Sequence, residues 1–140
     1  MHSFPFYVQL GFEHISDLAG YDHILFLVAL CAVYRLAQWK SLLILVTAFT
    51  AGHSLTLALT AFGLLTVRSE IIEFLIPATI FLTAIFNVVN YEDTIRRETL
   101  PRRYLAALFF GFIHGMGFSN YFRALLIDES AILLPLLGFN

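Results

Sequence analysis

The chain reads as an all-α integral membrane protein, a bundle of about four transmembrane helices, and three observations predict this. The composition is 59% hydrophobic and only 13% charged, against about 25% charged residues in an ordinary soluble domain. Fifteen phenylalanines and a mean hydropathy of +0.82 point the same way. Four apolar runs, at 22–39, 41–66, 70–90 and 104–126, each come close to the ~20 residues that cross ~30 Å of hydrocarbon. A length of 140 residues fits one transmembrane domain spanning 1–140.

Ahead of the first run, Phe4, Tyr7, Val8, Leu10, Gly11, Phe12, Ile15 and Leu18 predict an amphipathic helix lying in the membrane interface. The first two spans are expected to join through a tight turn around Lys40, and the second and third through a short loop containing Arg68. The third and fourth are separated by the polar segment 91–103, whose core, 92–98, is the clearly solvated stretch of the chain. Pro77 in the third span cannot donate to the carbonyl of Glu73, which predicts a kink and frees an oxygen. The tail 130–140 is apolar but would rise only about 16 Å as a helix, too short to span.

A net charge of -2 and a pI near 6.2 leave no basic footprint for nucleic acid. The lone Cys31 excludes an internal disulfide. The first residues lack the basic segment and small-residue cleavage site of a signal peptide, so the first span is expected to direct its own insertion. Arg35, Lys40, Arg96, Arg97, Arg102 and Arg103 fall on the side where the first span ends, against Arg68 and Arg123 on the other. The positive-inside rule then puts the N-terminus, His14, Asp22, His23 and Glu73 outside, on the periplasmic face if the source is a diderm bacterium.

Four of the five histidines, His14, His23, His53 and His114, lie within or at the edges of apolar runs, and Asp22 directly precedes His23. Ionisable groups at membrane depth are costly and mark functional sites by default. Counted from the starts of their spans, His53 and His114 lie roughly 18 Å and 15 Å deep, near the bilayer middle, with Asp22 and His23 at the outer end. Gly52 flanks His53, and Gly111, Gly115 and Gly117 surround His114; small residues let membrane helices approach closely. The candidate metal ligands are therefore His23, His53, His114, Asp22, His14 and Glu73, with Asp22 either binding directly or orienting His23. The hydroxyl and amide stripes Thr47, Thr50, Ser54 and Thr79, Thr83, Asn87, Asn90 are expected to hold helices together. No catalytic nucleophile stands out, since an all-helical pattern has no strand-turn-helix elbow for Ser54 or Ser119.

Three histidine-bearing segments carry a resemblance. Gly11-Phe12-Glu13-His14-Ile15 with Gly20-Tyr21-Asp22-His23-Ile24-Leu25-Phe26-Leu27, then Thr47-Ala48-Phe49-Thr50-Ala51-Gly52-His53-Ser54-Leu55-Thr56-Leu57, then Phe112-Ile113-His114-Gly115-Met116-Gly117-Phe118, resemble the HupE/UreJ family of hydrogenase and urease accessory membrane proteins. The similarity runs from about Gly11 to the C-terminus. It implies nickel or cobalt handling in a bacterial inner (plasma) membrane, and a first motif in which a histidine is followed after five residues by Asp-His. Seven residues separate His14 from Asp22 here. Members of that family generally continue into further membrane helices, so a four-helix transporter is expected to act as a homo-oligomer.

Imidazole suits nickel, cobalt, copper and zinc alike, and three functions follow. The first is a permease or accessory protein that captures a divalent cation at His14, Asp22 and His23 and passes it inward through His53 and His114. The second is an intramembrane zinc hydrolase with three histidine ligands and Asp22 or Glu73 as general base. The third is a b-type haem protein with His53 and His114 as axial ligands.

Overall fold

The computed structural model describes residues 3–18, 20–91, 101–126 and 132–139, and every regular element among them is helical. Helix α1 (Phe4–Ser16) begins with Pro5 in its first turn, where the missing N–H costs nothing. Its exposed face carries a Gln9–Glu13 side-chain hydrogen bond of 2.8 Å, while Tyr7 and Gly11 are buried.

Helix α2 (Asp22–Cys31) has ten residues and rises only about 15 Å, half the hydrocarbon thickness. The expected first span, 22–39, is thus broken. The chain turns at 32–35, a 3-10 turn runs Leu36–Gln38, and α3 follows at Trp39–Ala61. Beyond the break, the Gln38 Oε1 accepts the Arg35 backbone N–H at 3.0 Å and caps the 3-10 turn that leads into α3. Lys40 consequently sits inside the first turn of α3 rather than in a connecting turn. Helix α3 ends five residues earlier than expected, at Ala61, where Gly63 takes a left-handed φ of 71° and its N–H bonds to the Thr60 carbonyl.

Helix α4 (Ser69–Val89) continues through Pro77. Helix α5 (Pro101–Leu125) opens on a proline, and α6 (Leu133–Phe139) is a short helix in the apolar tail. The expected solvated stretch 92–98 lies outside the described residues. Among the described residues three helices are long and apolar enough to cross a membrane: Leu36–Ala61, Ser69–Val89 and Pro101–Leu125.

Glycines set the closest packing. A Cβ on Gly52 would collide with the Leu108 carbonyl, and one on Gly111 with the Phe49 carbonyl, so α3 and α5 touch backbone to backbone. The Thr56 hydroxyl donates across this crossing to the Phe112 carbonyl at 2.7 Å. Asn87 of α4 donates to the Ala29 carbonyl of α2 at 2.6 Å. On the other flank, Gly11 lies against the Phe139 carbonyl and Gly138 against Tyr7, which docks α6 on α1. Of the polar stripes expected to hold helices together, Asn87 and Thr79 reach a neighbouring helix, whereas the Ser54, Thr79 and Thr83 hydroxyls donate within their own helices to carbonyls three or four residues back.

A Gly111→Leu substitution forces a side chain into the Phe49 carbonyl, and overpacking of this kind costs about 1–3 kcal/mol or more. Thermal unfolding in detergent should show a lower Tm for Gly111→Leu, with little change for the exposed control Leu105→Ala.

Candidate metal centre

Three helices deliver three imidazoles to one place. His14 comes from the last turn of α1, His23 from the first turn of α2 and His53 from the middle of α3. One ligand nitrogen from each lies within 4.8 Å of the other two. Ring centroids are separated by 4.6 Å for His14–His23, 6.1 Å for His14–His53 and 6.2 Å for His23–His53. The Nε2 atoms of His14 and His23 are buried and make no hydrogen bond among the described residues. Buried polar atoms are normally satisfied, so two orphaned imidazole nitrogens facing a third histidine fit a cation.

The graded descent expected from the sequence, with His23 near the surface and His53 deep, is not what the structure shows. Helix α2 is half-length, so its start lies at the level of the middle of α3. The pairing confirms this: Phe26 stacks on Phe49 with centroids 4.6 Å apart, and Leu30 packs with Leu45 in one buried cluster. One turn before Phe26 and one turn after Phe49, His23 meets His53.

His114 stands beside this group but outside it. Its ring centroid is 5.8 Å from His23, and its Nε2 lies 3.1 Å from the Thr79 hydroxyl. That hydroxyl already donates its proton to the Ile76 carbonyl at 2.7 Å, so it accepts from His114 Nε2–H. The lone pair of His114 therefore resides on Nδ1, a buried atom with no hydrogen-bond partner among the described residues. His114 lines a vestibule of about 270 Å³ together with His14, His23, Asp17, Asp22 and Glu73. Asp22 is half-buried there and Glu73 exposed. Neither carboxylate is among the three convergent ligand groups.

Two contributors escaped sequence reasoning. Asp17 joins the acidic wall of the vestibule. Phe139 closes the opposite side, with centroids 5.3 Å from His14, 6.2 Å from His53 and 4.6 Å from Phe118. Matching glycines, Gly11 in α1 and Gly138 beside Phe139, were the available signal, because only close backbone approach brings the tail over the histidines.

Helix α1 lies outside the spanning-length helices, and burial lowers the His14 pKa from 6.5 to about 3, with further lowering from His23 and His53 and a smaller opposing effect of Asp17. A neutral imidazole keeps its lone pair available for a cation.

A family model described as HupE / UreJ protein matches residues 1–140. The chain belongs to the HupE/UreJ family. No curated protein and no solved structure matches it. Membership in HupE/UreJ brings a general link to nickel or cobalt handling, and the three convergent histidines form a group able to hold a metal ion. The close crossing of α3 and α5 leaves no slot for a macrocycle between His53 and His114, since a Cβ on Gly115 would lie 2.7 Å from the His53 carbonyl.

The His14 shift makes a checkable statement about the metal-free protein. With the folded value below 6.5, the unfolded chain takes up the proton first. Stability present above about pH 6.5 is therefore lost as the pH falls toward 3. Nitrogen NMR of labelled imidazoles should find His14 neutral at pH 5; a His14 that titrates near 6.5 would contradict the burial.

Proposed function

We propose that this protein takes up or delivers a divalent transition metal, nickel or cobalt, as its cargo. The observation that carries the reading is the convergence of His14, His23 and His53 within 4.8 Å. Three imidazoles by themselves serve copper and zinc as well, so the choice of nickel or cobalt rests on the family. Asp17, Asp22 and Glu73 line the vestibule and concentrate cations at its mouth. His114, with its Nδ1 lone pair beside His23, is the next ligand available to an ion leaving the three-histidine group.

The vestibule faces outward in this proposal, on the side of the N-terminus, because six of eight basic residues fall on the other side. The protein then resides in a bacterial inner membrane. With three spanning-length helices among the described residues, a homo-oligomer supplies the remainder of a translocation path.

Nickel binding by purified protein, followed by calorimetry with elemental analysis, tests the centre. His14→Ala, His23→Ala and His53→Ala should each weaken binding by more than the 10–100-fold typical of a group that merely supports a ligand, while Asp22→Asn should fall within that range. Binding unchanged in all three alanine variants would overturn the proposal.

Uptake of radioactive nickel into proteoliposomes tests the route. His114→Ala is expected to retain nickel at the three-histidine group but lose most flux, whereas His53→Ala loses both. Equal flux in His114→Ala and wild type would remove His114 from the path.

A further inference from the structure

A second cavity lies at the end of the bundle away from the histidines. It occupies about 380 Å³ between the C-terminal half of α4 and the N-terminal half of α5, within the roughly 300–1,000 Å³ typical of ligand sites. It shares no lining residue with the vestibule or with the small pocket between His14, His23 and His53. Ala106 and Ala107 on α5 leave the space that larger side chains would fill.

The cavity carries its charge at one end only, and the two polar groups deeper along its wall, Thr83 and Asn87, donate to the Thr79 and Ala29 carbonyls. Asn90, Arg102 and Arg103 line its mouth, and Leu82, Leu45 and Phe110 its inner end. At 1.5 Å per residue, Arg102 to Phe110 along α5 and Asn90 to Leu82 along α4 each cover about 12 Å. The Arg103 guanidinium lies 5.2 Å from the Phe86 ring and 6.0 Å from the Tyr34 ring, which holds a positive charge at the mouth. Leu82, Ile85, Phe86 and Val89, the α4 wall, are exposed on the outside of the bundle, so the crevice is open to the surrounding lipid.

A cationic mouth above an apolar slot complements an amphiphile with an anionic head and a hydrocarbon tail. We propose that the crevice binds one anionic diacyl phospholipid, an acyl chain lying against Phe86 and Ala106 and the phosphate against Arg102 and Arg103. Basic pockets between membrane helices recognise anionic headgroups in this way, and a zwitterionic headgroup would bring its own cation toward the two arginines.

The test uses the full chain in nanodiscs containing phosphatidylcholine and increasing phosphatidylglycerol, followed by native mass spectrometry of lipids retained after transfer to detergent. Wild type should keep one phosphatidylglycerol per chain in preference to phosphatidylcholine. Arg102→Gln and Arg103→Gln should each weaken retention about fivefold. Ala106→Phe should abolish it by filling the slot, with circular dichroism and monodispersity checking the fold. If Ala106→Phe fails to fold, the arginine variants decide. Inorganic phosphate should not displace the lipid. Equal retention of both lipids, wild-type retention in the arginine variants, or displacement by phosphate would overturn the proposal.

Discussion

The close crossing of α3 and α5 is the contact on which the rest of the structure depends. Gly52 and Gly111 present bare backbone to the carbonyls of Leu108 and Phe49, and Gly115 to that of His53. In hydrocarbon, where apolar side chains gain little by leaving lipid, association relies on such packing and on interhelical hydrogen bonds. The Thr56–Phe112 bond supplies one. His53 and His114 are carried on the two helices of this crossing, so their separation is set by backbone contact.

Around that pair, α1, α2 and α6 are short and held by specific contacts. Helix α2 is anchored by the Asn87–Ala29 bond and by Phe26 packed on Phe49, which holds His23 at the level of His53 despite a length of ten residues. Helices α1 and α6 pack on each other through Gly11 and Gly138, and together bring His14 and Phe139 to the same place. The candidate centre is built from two helix ends, those of α1 and α2, and the middle of α3.

The two ends of the bundle differ in chemistry. Around the histidines, carboxylates line a vestibule and the Thr79 hydroxyl is engaged by the Ile76 carbonyl and by His114. At the other end, arginines and an amide rim an almost wholly apolar slot. The carboxylate-lined end therefore favours a cation and the arginine-rimmed end an anion.

The membrane character, the helical class, three of the long apolar helices and the histidines worth examining were all legible in the sequence, because hydrophobic run length and intramembrane charge are local properties. So was the family, carried by three short histidine-bearing segments and by the match over 1–140. The break after Cys31 was not legible by run length, since the apolar stretch continues through it and only the structure shows the turn at 32–35 and the capped 3-10 turn that follows. That single break moves His23 a half-span inward. Whether His14, separated from Asp22 by seven residues, belongs with the others was likewise a question for tertiary structure alone. Spacing along the chain fixes distances only within one helix; the meeting of α1, α2 and α3 depends on how close their backbones can pack, and glycines far apart in sequence decided it.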